Sequence, residues 1–181
     1  MAQTNSVLRL FYFQHMPNSR FPYLPSEGCD NSVRTRIVDT KRLGEVGELA
    51  FILKATSLGF TPSRPYGDRR PYDFLLECGP RVLRIQIKSA FSNRLRDGHR
   101  YSVNTGISRK SEITEKRERV GYTSADVDFI VAYVEPQNAW YVIPVDALGQ
   151  RTFINLYPLG KTRTIGGQFE KYREAWHLLR E

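Results

Sequence analysis

Asp73, Gln86 and Lys88 are the residues of this chain whose types and spacing could do chemistry together. The run from Arg81 to Ala90 alternates with the period of a strand. Leu83, Ile85 and Ile87 face one way, and Arg84, Gln86 and Lys88 the other. Tyr72 to Glu77 reads as the strand before it, with Cys78-Gly79-Pro80 as the turn. A short loop then sets Asp73 against Gln86, with Lys88 one step further on the same face, because directly opposed residues share a face. An acid, an amide and an ammonium project together. Metal-dependent phosphodiester hydrolysis would use all three. A carboxylate holds a hard divalent cation such as Mg²⁺. The cation acidifies a bound water and neutralises the charge growing on a phosphate. A nearby lysine can orient or deprotonate that water and offset phosphate charge. A second carboxylate would improve metal retention. Glu48 on the preceding helical stretch is the candidate, with Glu45 competing one turn away.

The elements that must position these residues follow from the rest of the pattern. Asp39 or Thr40 is a suitable N-cap for a helix running to Leu58, with Gly59 as its stop. Leu49, Ile52, Leu53 and Thr56 fall on one face of it. Gly44 and Gly47 each cost about 1 kcal/mol in a helix relative to Ala, which a close backbone approach to another element would explain. A third strand is expected over 100–104, and two more over 127–134 and 140–145, joined by Pro136-Gln137-Asn138. The charged stretch 108–119 reads as helix or mobile loop, with Glu115 and Arg119 spaced for an i,i+4 pair. After Gly166-Gly167 a C-terminal helix carries Phe169, Tyr172, Trp176 and Leu179 on one stripe. Residues 1–38, punctuated by Pro17, Pro22 and Pro25, read as an arm or peripheral extension with a short strand near 6–13. The main domain is expected over 39–181. Asp68 reads as a turn residue, and Asp126 and Asp128 as structural.

Composition narrows the partners. The chain has 181 residues and a net charge of +8, which favours a polyanion, since Lys and Arg release counterions from phosphates. Between Arg94 and Arg119, eight Lys or Arg face only four Asp or Glu. Arg94, Arg96, Arg100, Arg109 and Lys110 are the candidates for DNA contact. Two isolated cysteines cannot make a zinc site of the paired kind, and the three histidines form no ligand motif, so chemistry led by Cys or His has weak support. No stretch approaches the roughly 20 apolar residues of a membrane span. The apolar run Val7 to Phe13 is interrupted by Arg9, without a cleavage site after it, and a cytoplasmic protein with no membrane partner is expected.

Several segments together resemble the PD-(D/E)XK nuclease superfamily. They are Gly44-Glu45-x-x-Glu48-Leu49-Ala50, Leu58-Gly59-Phe60, Pro65-Tyr66-Gly67-Asp68, Tyr72-Asp73, Arg84-Ile85-Gln86-Ile87-Lys88-Ser89-Ala90 and, later, Tyr122-x-x-x-Asp126-x-Asp128-Phe129 and Trp140-Tyr141-x-x-Pro144. Gln-x-Lys in place of Glu-x-Lys or Asp-x-Lys is similar to the branch that includes group I intron homing endonucleases. The resemblance covers roughly 40–145. It implies an α/β fold with a restriction-endonuclease-like core, a central mixed β-sheet flanked by helices. It implies Mg²⁺-dependent cleavage of double-stranded DNA, with Mn²⁺ as a substitute. It makes Glu48, Asp73, Gln86 and Lys88 catalytic and gives metal contacts to Asp73, Glu48 and Ile87. Tyr72 stands where the motif has Pro, and the neutral Gln86 leaves one carboxylate fewer than in most relatives. Cutting both strands of a duplex needs two sites, so a homodimer or higher homo-oligomer is expected. The alternative is a catalytically weak nucleic-acid-binding module that keeps the nuclease fold.

Overall fold

The computed structural model describes residues 39–67, 69–95, 98–112, 114–160 and 167–180, without the side chains of 93–95 and 98–99. The expected N-terminal arm and its strand, Asp68 and Arg96 lie outside the described residues. The chain opens on α1 (Thr40–Ser57) and continues through β1 (Thr61–Ser63), β2 (Phe74–Cys78), β3 (Arg81–Ser89), β4 (Phe91–Leu95) and β5 (Gly98–Asn104). Then come β6 (Gly106–Lys110), β7 (Arg117–Gly121), β8 (Phe129–Val134), β9 (Ala139–Pro144), a four-residue helix α2 (Val145–Leu148) and β10 (Phe153–Leu156).

Asp39 is the N-cap of α1, its Oδ1 accepting from the N–H groups of Lys41 and Arg42 at 3.1 and 3.2 Å. At the other end Gly59 adopts φ +84°. The Phe60 N–H bonds to Ala55 O and the Gly59 N–H to Thr56 O, the paired bonds of a Schellman stop. The buried face of α1 is Gly47, Phe51 and Ala55, whereas Leu49 and Leu53 are 68% and 74% exposed. The expected face is therefore not the buried one: Leu49, Leu53 and Thr56 are exposed, and of the four only Ile52 packs against the core. Close approach decides this. A Cβ on Gly47 would come within 2.6 Å of Ser89 Oγ, so α1 can lie on β3 only along its glycine.

The main sheet has the order β1-β2-β3-β8-β9, with β3 and β8 parallel and every other pair antiparallel. It is the expected mixed central sheet. α1 and the C-terminal residues Ala175, Trp176 and Leu179 cover one face, packing on Phe74, Leu76, Leu83, Ile85, Ile87, Val131 and Val142. The other face carries Ile130, Ala132, Tyr141 and Ile143 and is covered by Tyr101, Val103, Ile154 and Leu156 from a second sheet, β10-β5-β4. β4 was not anticipated, and the expected strand at 100–104 is the end of β5.

Two expectations are corrected. The stretch 108–119 is not a helix, and only the segment between Lys110 and Arg117 is a connection. It belongs to the hairpin β6–β7, in which Ile107 opposes Val120 and Arg109 opposes Glu118. Glu115 sits in the connecting turn at φ +55°, so the helical pairing with Arg119 does not form. A row of charges carries little period of its own, and the β-branched pair at the root decides the pairing. The C-terminal helix is replaced by two single 3₁₀ turns, Glu170–Tyr172 and Trp176–Leu179. Between them Glu174, at φ +49°, completes the edge of β9. Its N–H donates to Trp140 O at 2.8 Å, and its carboxylate accepts from Trp140 N and Trp176 Nε1. A continuous helix would leave that edge unpaired.

The parallel pair β3–β8 needs its register fixed across a long connection. Arg84 and Asp128 do this. Asp128 accepts from the Arg84 N–H (2.7 Å), Nε (3.1 Å) and Nη2 (2.7 Å), and the Asp128 N–H donates to Arg84 O. The guanidinium also donates to Ala125 O and Ser124 O, both at 2.7 Å. Burial pushes the Asp128 carboxyl up, but the bonds and charge of Arg84 outweigh it and hold the carboxyl below its ordinary range. A lowered folded value stabilises the fold above about pH 4, and that stabilisation is lost as pH falls through the folded value. Asp128→Asn should lower the unfolding free energy by about 2 kcal/mol at neutral pH. In urea titrations its deficit against wild type should shrink below about pH 4; a deficit independent of pH would contradict the ionic clamp.

Candidate active site

Asp73 is the residue just before β2. The ladder pairs Phe74 with Ile85, and continuing it sets Asp73 against Gln86, the register expected from sequence. The turn is tighter than expected, with only Gly79-Pro80 between the strands. Where the main-chain ladder stops, the Asp73 side chain takes over. Its Oδ2 accepts from the Ile87 N–H at 2.8 Å and from Gln86 Nε2 at 2.6 Å. Gln86 is itself buried, and its Nε2 makes a longer contact of 3.3 Å to Ile87 O. Both short bonds fall on Oδ2, leaving Oδ1 without a hydrogen bond from a described residue.

Lys88 follows on the same side of β3, half-buried, with Nζ 5.5 Å from the centre of the Tyr122 ring. Burial lowers its ammonium, against the attraction of Asp73. Burial likewise raises the Asp73 carboxyl, more than the Ile87 N–H, Lys88, Gln86 and Arg64 together lower it. The two groups are thus driven toward each other, the acid made more basic and the ammonium more acidic. Tyr122 is pushed up to about 12, first by burial and then by the charges of Asp73 and Asp126, and stays a neutral phenol.

Glu48 is on α1, but its carboxylate is paired with Arg64. The Arg64 guanidinium also lies 5.7 Å over the Phe74 ring and is near enough to Asp73 to lower its carboxyl. One cation therefore acts on both candidate metal carboxylates. Arg64 lines a pocket of about 360 Å³ with Pro65, Gly67, Arg70, Tyr72 and Asp73. Among the described residues, no three His, Cys, Asp or Glu side chains gather closely enough to hold a metal by themselves. Sequence reasoning missed Arg64 and gave Tyr122 no role beyond a place in the family pattern. Neither belongs to a periodic pattern, and only the fold brings them to the hairpin.

The candidate DNA-contact residues fall on three strands, β4, β5 and β6, with Arg96 outside the described residues. Arg109 pairs with Asp126, whose Oδ2 also accepts from the N–H and hydroxyl of Thr123. Lys110 is exposed on β6. Arg100, on β5, has a buried Nε without a partner among the described residues. Arg94 is on β4, and its side chain lies outside the description. No helix of the described residues is long and apolar enough to cross a membrane.

A mixed sheet with an aspartate at one strand's start and Gln-x-Lys on its partner defines a nuclease of the restriction-endonuclease-like class. A family model described as PD-(D/E)XK endonuclease matches residues 38–179, and the chain belongs to that family. Among solved structures it is similar to a bacterial homing endonuclease, I-Ssp6803I, with 32% identity and a TM-score of 0.67 over 78% of this chain and 93% of that one. No curated protein matches the chain.

Gln86 is neutral where a second carboxylate would meet Asp73 Oδ2 at hydrogen-bond distance. Two buried carboxylates so close cannot both ionise freely, and one folded pKa is raised. The resulting penalty is absent below about pH 4 and grows as pH rises toward the raised value. Metal-free Gln86→Glu should therefore lose about 2 kcal/mol at pH 8 and much less at pH 5. Chemical denaturation at the two pH values checks this, and an equal loss at both would show that the carboxylates do not interact.

Proposed function

We propose that this protein is a divalent-metal-dependent endonuclease that hydrolyses phosphodiester bonds of double-stranded DNA, in a homing or restriction-like role. The observation that carries the reading is the Asp73 carboxylate, held by the Ile87 N–H and Gln86 with Lys88 beside it. Family membership supports nuclease chemistry, and the similar structure is that of a homing endonuclease. The net charge of +8 supports a polyanionic substrate.

The donor set fits Mg²⁺, with Mn²⁺ as a substitute. Mg²⁺ is usually bound by one or two carboxylates, with waters and substrate phosphates supplying the rest, so a dense protein cage is not required. Asp73 would hold it, with Glu48 and the Ile87 carbonyl as further oxygen donors. When bound, the cation supplies an acidified water and neutralises charge on the phosphate. Gln86 donates to Oδ2 and so fixes the carboxylate's orientation. Lys88, desolvated against Tyr122, directs its ammonium at the attacking water or a phosphate oxygen, where low local dielectric strengthens it. Arg64 neutralises Glu48 until a cation competes for it. A homodimer or higher homo-oligomer would supply a site for each strand, and a cytoplasmic location fits such an enzyme.

The second reading, a catalytically weak binding module, draws on the neutral Gln86 and on the engagement of Glu48 by Arg64. Plasmid nicking separates the two. Wild type should nick in Mg²⁺ or Mn²⁺ and not in EDTA. Lys88→Ala and Asp73→Asn, melting as folded proteins, should be slower by about 100-fold or more. Equal, metal-independent nicking by all three would remove the enzymatic reading.

A further inference from the structure

The hairpin β6–β7 pairs with neither of the other sheets. Its register sets Ser108 opposite Arg119 and Lys110 opposite Arg117, while Ile107 meets Val120 and Arg109 meets Glu118. Residues opposed across an antiparallel pair share a face, and faces alternate along each strand. The charges are therefore sorted. One face carries half-buried Ile107 and Val120 together with Arg109, which has Glu118 across from it and Asp126 as ion-pair partner. The opposite face carries Ser108, Lys110, Arg117 and Arg119, all exposed, with no acid among them.

That sorting works against the hairpin's own stability. Lys110 and Arg117 are directly opposed, and like charges in that position are destabilising. No acid lies across the ribbon from either of them, so a polyanion outside the chain would relieve the repulsion. The basic face also begins at the active site. β7 ends at Gly121, and the next residue, Tyr122, has its ring 5.5 Å from Lys88 Nζ, while the Arg119 guanidinium lies 5.1 Å over the Phe153 ring. A five-residue strand extends about 17 Å, and a two-stranded ribbon is of a size the major groove admits.

We propose that the Ser108, Lys110, Arg117 and Arg119 face of the β6–β7 ribbon docks on the phosphate backbone of duplex DNA and holds it against Lys88. The proposal rests on the endonuclease reading and deepens it. The phosphate contacts belong to Lys110, Arg117 and Arg119, while Arg109 remains with Asp126. Such contacts fix the register of the duplex without reading its sequence.

Binding of a labelled mixed-sequence duplex in EDTA, measured across a salt series, tests this apart from cleavage. Wild type should bind with a steep salt dependence. In Lys110→Gln/Arg117→Gln the slope of log affinity against log salt should become shallower by about 2, since each lost phosphate contact removes about 0.9. Arg109→Gln should keep the wild-type slope. Arg117→Glu would face Lys110 with an opposite charge, so it should melt at or above the wild-type temperature and still bind more weakly. Wild-type slope and affinity in both the double variant and Arg117→Glu would overturn the ribbon assignment. Failure of the wild type to bind any duplex at low salt would instead overturn DNA as the substrate.

Discussion

β3 is the middle strand of the main sheet, yet on one face it carries a buried Gln86 between half-buried Arg84 and Lys88. A buried polar group left unmatched costs about 1–3 kcal/mol, and a buried charge more. The architecture around β3 answers that constraint residue by residue. Arg84 is matched by Asp128 and two carbonyls, which brings β8 in parallel and in register. Gln86 is matched by Asp73, which ends the β2 ladder. Lys88 has the charge of Asp73 and the ring of Tyr122. Two of these partners, Asp73 and Asp128, arrive from elements on opposite sides of β3, so the strand organises the sheet through its least apolar residues.

The three matches differ in strength, and the difference separates scaffold from chemistry. Arg84 and Asp128 satisfy each other fully, and the Asp128 carboxyl lies below its ordinary range. Asp73 and Lys88 satisfy each other incompletely. Burial still outweighs their attraction, raising the acid and lowering the ammonium. Groups poised in this way are characteristic of sites that a ligand completes, and natural proteins concentrate such destabilised groups where function needs them. Arg64 belongs to the same logic, since it lends a positive charge to Glu48 and lowers the Asp73 carboxyl.

Much of this was legible in the residues. The alternation from Leu83 to Lys88 and the short turn placed Asp73 against Gln86, and the structure has them 2.6 Å apart. Asp39, Gly59 and the glycine in α1 announced the helix, its ends and its close approach to β3. The face that α1 buries was misjudged because Leu49 and Leu53 outweighed Gly47 in a count of apolar residues, whereas sterics at Ser89 decide the contact. The C-terminal stripe correctly marked Phe169, Trp176 and Leu179 as buried, but not the backbone that presents them. Glu174 bonds to β9, a partner more than thirty residues away in sequence.

By itself, then, the sequence determined which side chains share a face of the hairpin, because strand parity and turn length are properties of the local backbone. It determined the family for the same reason, since the motif is a local pattern. Only the tertiary structure decided what each of those faces meets. It gave Glu48 to Arg64, Lys88 to Tyr122 and Arg109 to Asp126, and it sorted the charges of 106–121 onto two sides of a ribbon. Desolvation and charge pairing depend on distances between elements far apart in the chain, and no local period carries that information.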